Sequence, residues 1–198
     1  MTGAGGGLEA FAVSVGVVAL GEIGDKTQLL ALLLAARFRR PLPIILGIFV
    51  ATVANHVTAA ALGAWVTQAI DPHWMRWLLG GSFLAVAGWM LVPDKADDDS
   101  GIERGPMGGW GIFGITAVAF FLAEMGDKTQ IATMMLAAKY DSIWAVAAGT
   151  TLGMMLADVP AVLLGDKAVN FVPIAWVHRI AAGVFALLGV LVLAGVGS

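Results

Sequence analysis

Glu22-Ile23-Gly24-Asp25-Lys26-Thr27-Gln28 returns as Glu124-Met125-Gly126-Asp127-Lys128-Thr129-Gln130, 102 residues later and with six of seven positions identical. Both copies lie inside long apolar runs. Residues 10–20 and 29–36 flank the first, and 112–123 and 131–138 flank the second. Two carboxylates, an ammonium group, a hydroxyl and an amide are costly in such surroundings unless they serve one another or a ligand.

Composition sets the solvent. Of 198 residues, 59% are hydrophobic and 13% charged, with a mean hydropathy of +0.88. A soluble domain carries roughly a quarter charged residues. Apolar runs near 20 residues, the length that crosses a bilayer core, recur along the chain. The sequence therefore predicts an all-α integral membrane protein with the lipid bilayer as its surroundings. No nucleic-acid partner is expected. The absence of cysteine excludes disulfides, thiol chemistry and thiolate metal sites. No nucleophile–base set is present, and His56, His73 and His178 are scattered, so no enzymatic activity and no cofactor are expected.

Six spans fit the pattern: 8–36, 43–68, 74–92, 110–138, 142–164 and 173–194. The first and fourth carry the motifs near their middles. Residues 93–109, rich in Asp, Pro and Gly, read as an acidic cytoplasmic linker between repeats 1–92 and 110–198. The halves align without a gap at the same offset. Gly47 falls on Gly149, Gly63 on Gly165, Trp74 on Trp176, Gly81 on Gly183 and Phe83 on Phe185. Three spans is an odd number, so the second repeat enters the membrane in the opposite sense. Inverted repeats of secondary transporters place their substrate site at the repeat interface near the midplane. Apart from the motif lysines, Arg37, Arg39, Arg40, Lys95, Arg104, Lys167 and Arg179 fall on one side and Arg76 and Lys139 on the other. The positive-inside rule puts the first group in the cytoplasm and both termini outside. Trp65, Trp74, Trp77, Trp110, Trp144 and Trp176 lie near span ends, as an aromatic belt would.

On a continuous helix Glu22 and Asp25 share a face, as do Glu124 and Asp127. Gly24 and Gly126 would keep that face slim for a neighbouring helix. Crossing the two spans would converge four carboxylates, with Thr27, Gln28, Thr129 and Gln130 close by. Such an oxygen set suits a hard divalent cation such as Mn²⁺ or Ca²⁺. Four carboxylates and the two lysines leave a formal −2, which one divalent ion neutralises. Without metal, some carboxylates take up protons. Lys26 and Lys128 are expected to pair with the carboxylates when the metal leaves. Asn55 and His56 in the second span, and Asp158 at the position equivalent to His56 in the fifth, are further polar candidates within apolar runs. An imidazole at the site would favour Mn²⁺ over Ca²⁺. Two other readings fit the same residues. One is a cation channel with a carboxylate filter; the other is a non-transporting scaffold whose motifs are structural ion pairs.

The paired E-x-G-D-K-T motifs in a six-span chain resemble the Gdt-type cation exchanger family, which includes human transmembrane protein 165. The resemblance extends over essentially the whole chain. It implies Mn²⁺ or Ca²⁺ transport in exchange for protons, with the metal at Glu22, Asp25, Glu124 and Asp127. The compact length resembles bacterial members, regarded as Mn²⁺ exporters, which implies a bacterial inner membrane.

Overall fold

The computed structural model describes residues 4–92, 108–164 and 174–195. Every regular element among them is helical: α1 (Ala4–Glu22), α2 (Lys26–Phe38), α3 (Pro41–Ala69), α4 (Pro72–Trp89), α5 (Gly109–Glu124), α6 (Lys128–Tyr140), α7 (Ile143–Leu164) and α8 (Ile174–Leu193). Residues 93–107 of the acidic linker, with Lys95 and Arg104, lie outside the described residues, as does Lys167.

Local chemistry sets the ends. Pro41 and Pro72 open α3 and α4 where a missing N–H costs nothing. Asp71 caps α4, its Oδ1 accepting from the His73 N–H at 2.8 Å. Arg39 and Asp141 end α2 and α6 in the left-handed conformation, at φ 51° and 47°.

The two spans expected to carry the motifs are not continuous helices. α1 and α2 meet at 68°, and α5 and α6 at 70°, with the break inside each motif. Three described helices, Pro41–Ala69, Ile143–Leu164 and Ala175–Leu193, are each long and apolar enough to cross a membrane, and five candidates result if each bent pair is one span. α4 is not among them; its first turns carry His73 and Arg76. The outer surface is apolar. All six span-end tryptophans are more than half exposed, as residues facing lipid or its interface would be.

Glycines set the closest helix contacts. α1 runs beside α7 in the same direction, with Gly149 against Phe11 and Ser14 and Gly153 against Val15 and Ala19. α5 runs beside α3 likewise, with Gly47 against Phe113 and Thr116 and Asn55 against Phe121. At the centre the Thr52 hydroxyl of α3 donates to the Met154 sulfur of α7 at 2.9 Å. The Phe83 ring of α4 meets the Phe185 ring of α8 with centroids 6.3 Å apart. Both of these contacts join residues 102 positions apart.

Candidate cation site

Each break is a glycine followed by a helix start. Gly24 and Gly126 have φ of 84° and 77°, a region other L-residues enter at a cost of roughly 1–2 kcal/mol. The next residue, Asp25 or Asp127, is extended and begins the second half-helix. Glycine here makes a turn, not the slim helix face expected from its spacing. Glu22 closes α1 while Asp25 opens α2, so the two carboxylates meet across a bend and not along one helix face. A Cβ on Gly126 would meet nothing within 4 Å, which isolates the conformational cost. Gly126→Ala is therefore expected to lower stability by about 1–2 kcal/mol, with Gly126→Asn milder because Asn tolerates this conformation. Thermal unfolding of both variants in detergent checks this.

Neither aspartate caps its own helix through its side chain. The glutamines hold the turn instead. Gly24 N–H donates to Gln28 Oε1 at 2.9 Å, and Gly126 N–H to Gln130 Oε1 at 2.7 Å. Thr27 donates its hydroxyl to Glu22 Oε2 at 2.6 Å, and Thr129 donates to Glu124 Oε2 at 3.0 Å. The aspartates are thus left to act between repeats. Lys26 Nζ lies 3.1 Å from Asp127 Oδ1, and Lys128 Nζ lies 3.4 Å from Asp25 Oδ1. Gln28 Nε2 donates to the Ala157 carbonyl at 3.0 Å, and Gln130 Nε2 to Asn55 Oδ1 at 3.4 Å. Asn55 in turn donates to the Phe121 carbonyl at 3.1 Å, so its amide ties helices together.

Carboxylate oxygens of Glu22, Asp25 and Asp127 lie within 4.8 Å of one another, all buried. Glu124, the fourth motif carboxylate, is not one of these three but lies within electrostatic reach of Glu22. Glu124 Oε2 faces His56 Nε2 at 3.8 Å. Of the four motif carboxylates expected to converge, three meet within this distance and the fourth faces His56. Asp158 is fully buried and within electrostatic reach of both Glu22 and Glu124. Among the described residues, Glu22 Oε1, Glu124 Oε1, Asp127 Oδ2 and both Asp158 oxygens are buried without hydrogen-bond partners. Buried carboxylate oxygens of this kind call for a cation or a proton. The α2 and α6 N-termini add partial positive charge, and the α1 and α5 C-termini add carbonyls. The two lysines differ in their surroundings: the Lys26 side chain is 29% exposed and Lys128 only 1%.

Three features escaped the sequence reading. Ser14 and Thr116, equivalent positions, are buried hydroxyls without partners among the described residues; their shared offset was the available signal. His178 Nε2 lies 3.0 Å from the Ile23 carbonyl at the first break. Gln28 reaches a backbone carbonyl three residues before Pro160, a contact no side-chain pattern indicates.

No solved structure matches this chain. Sequence relatives do. A protein of Vibrio cholerae named "Putative manganese exporter" is 50% identical over 183 residues, covering 91% of this chain and 88% of its own. "GDT1-like protein sll0615" of Synechocystis is 29% identical over 175 residues, covering 80% and 84%. "Protein PAM71-homolog, chloroplastic" of Arabidopsis thaliana is 24% identical over 220 residues, covering 94% and 59%. The family described as "Divalent cation/proton antiporter GDT1" matches residues 10–98 and 112–197, two segments that each contain one broken motif. With its two acidic helix breaks inside those segments, the chain belongs to the divalent cation/proton antiporter family GDT1.

Proposed function

We propose that this chain is a secondary antiporter that expels Mn²⁺, with Ca²⁺ as the second candidate cargo, in exchange for protons. The observation that carries this reading is the meeting of Glu22, Asp25 and Asp127, contributed by both motifs, in a buried group bordered by Lys26 and Lys128. Glu124, Asn55, His56 and Asp158 complete its polar surroundings, and Thr27, Gln28, Thr129 and Gln130 hold the carboxylates in place. Five buried carboxylates against two ammonium groups carry a formal −3. One divalent ion leaves −1, which one proton neutralises. Metal and protons therefore contend for the same oxygens, and that contest couples the two flows. Two structural ion pairs need only two carboxylates, so a scaffold accounts for less of what is buried here. Mn²⁺ as the cargo is in keeping with the name of the Vibrio relative.

The architecture is two inverted three-span repeats, each a broken motif span followed by two more. Parallel packing of α1 on α7 and of α5 on α3 supports inversion. If α3 returns across the membrane after α1–α2, then α5–α6 runs against α1–α2. Contacts between equivalent residues, Thr52 with Met154 and Phe83 with Phe185, are what a twofold axis through the centre produces. Alternating exposure of the site follows when one repeat rocks against the other. The inner membrane of a bacterium is the proposed location. Arg37, Arg39, Arg40 and Arg179 mark the cytoplasmic side, and the termini lie outside.

Arg40 and Ser142 are equivalent positions at the starts of α3 and α7. Because the chain has no cysteine, single Arg40→Cys and Ser142→Cys proteins can be labelled without background. A membrane-impermeant maleimide is expected to reach Ser142→Cys from outside intact cells and Arg40→Cys only after lysis. Labelling of both from the same side contradicts the inversion. The transport reading is tested by manganese content. Cells expressing the chain under Mn²⁺ load are expected to hold less manganese than cells expressing equal amounts of Glu22→Gln; equal content contradicts it.

A further inference from the structure

His56 is fully buried in α3, and neither ring nitrogen has a hydrogen-bond partner among the described residues. Its neighbour Asn55 is held by Gln130 and the Phe121 carbonyl, so the lack of partners belongs to the imidazole and not to the whole turn. A buried imidazole ordinarily satisfies at least one nitrogen. Here Nε2 stands 3.8 Å from Glu124 Oε2, too far for a hydrogen bond. The separation suits a shared ion, because two ligand atoms each about 2.0–2.6 Å from a divalent ion stand about 3–4.5 Å apart. Glu124 is also the motif carboxylate that lies outside the Glu22, Asp25 and Asp127 group. Its Oε2 is steadied by Thr129, and its Oε1 is buried without a partner. Asp158 adds two further unpartnered oxygens within electrostatic reach of Glu124.

We propose that His56 Nε2 and Glu124 form a nitrogen-bearing cation position beside the three-carboxylate group, and that this position selects Mn²⁺ over Ca²⁺. The proposal rests on the antiporter reading above. The chemistry is one of donor type. Ca²⁺ takes oxygen ligands almost exclusively, whereas imidazole binds first-row transition ions. The second repeat carries Asp158 at the equivalent place, so one nitrogen at most is available from this pair of positions. Ca²⁺ is then accommodated by the carboxylates but gains nothing at His56. Mn²⁺ gains a ligand there.

Pulsed electron paramagnetic resonance on the purified full chain loaded with Mn²⁺ reads nitrogen ligation directly. Imidazole nitrogen modulation is expected in the wild type, changing to the ¹⁵N pattern when histidine alone is ¹⁵N-labelled and vanishing in His56→Gln. His56→Asp, which makes the donor set all oxygen, is expected to narrow the Mn²⁺-over-Ca²⁺ binding preference by about tenfold or more. Bound Mn²⁺ without histidine nitrogen modulation in the labelled wild type overturns this proposal and leaves the antiporter reading standing. Modulation that persists in His56→Gln also overturns it. Failure of the folded wild type to bind Mn²⁺ at all overturns both.

Discussion

Asp25→Asn is expected to reduce Mn²⁺-driven proton movement to background and to lower the melting temperature more than Asp127→Asn does. The loss of transport should be common to both variants. Each removes one carboxylate of the three that meet at the site, and an amide cannot supply the anionic oxygen that a divalent ion or a proton takes. The difference in stability comes from the lysines. Lys128 Nζ lies 3.4 Å from Asp25 and is 1% exposed, so Asp25→Asn deprives a fully buried ammonium of this carboxylate. Breaking such a pair from one side costs roughly 3–5 kcal/mol. Lys26, the partner of Asp127, is 29% exposed and can extend its ammonium outward along its flexible stem. Asp127→Asn should therefore unfold only slightly below the wild type. The double variant Asp25→Asn/Lys128→Met is expected to recover most of the lost stability and none of the transport. Scanning fluorimetry in detergent, paired with flux in liposomes, reads both. Retained flux in either aspartate variant, or equal destabilisation by both, contradicts this assignment.

Gly149→Val should be strongly damaging although it lies outside the motifs. A Cβ at Gly149 would lie 2.6 Å from the Phe11 carbonyl oxygen and 2.8 Å from the Ser14 Cβ. The first neighbour is backbone and cannot rotate away, so α7 must move off α1. These helices carry Asp158 and Glu22, and separating them pulls the site apart. Overpacking costs about 1–3 kcal/mol and occasionally more; a rigid obstacle puts this position at or above the upper end. Gly47, the equivalent position, meets the Phe113 carbonyl oxygen at 2.9 Å and should behave alike. Gly183 is the control. Nothing lies within 4 Å of a Cβ there, and Gly183→Ala should be neutral or stabilising by about 0.5–1 kcal/mol through helix propensity. Melting temperatures of the three variants decide the matter, and a stable Gly149→Val protein would remove the case for close α1–α7 packing.

The membrane setting and the recurrence of the motif were legible because both are written in composition and register. Apolar runs of spanning length and a constant offset of 102 need no knowledge of tertiary contacts. The glutamates, aspartates and lysines stand out in the sequence as polar groups an apolar span does not carry without reason, and the structure buries both glutamates and both aspartates. The helix break was misread. Glycine followed by aspartate is a helix end followed by a helix start, and Gly24-Asp25 and Gly126-Asp127 contain both cues. Apolar sequence continues on either side, however, so periodicity alone joined α1 to α2 and α5 to α6. The different surroundings of the four motif carboxylates were not legible for a deeper reason. The motifs differ only at Ile23 and Met125, so nothing within them sets Glu124 apart from Glu22. Packing by the rest of the chain does that, through neighbours such as His56 that occupy one repeat and not the other. A near-symmetric sequence cannot report how far its fold departs from symmetry.

Exchange itself is the claim on which the rest depends. Purified protein in liposomes with a pH-sensitive dye enclosed, given Mn²⁺ outside at matched pH, should acidify the medium and alkalinise the lumen as Mn²⁺ enters. The dye response should scale with the Mn²⁺ gradient and be absent from liposomes carrying folded Asp25→Asn. Mn²⁺ entry without any proton countermovement would contradict the antiporter account and leave a conducting pore in its place.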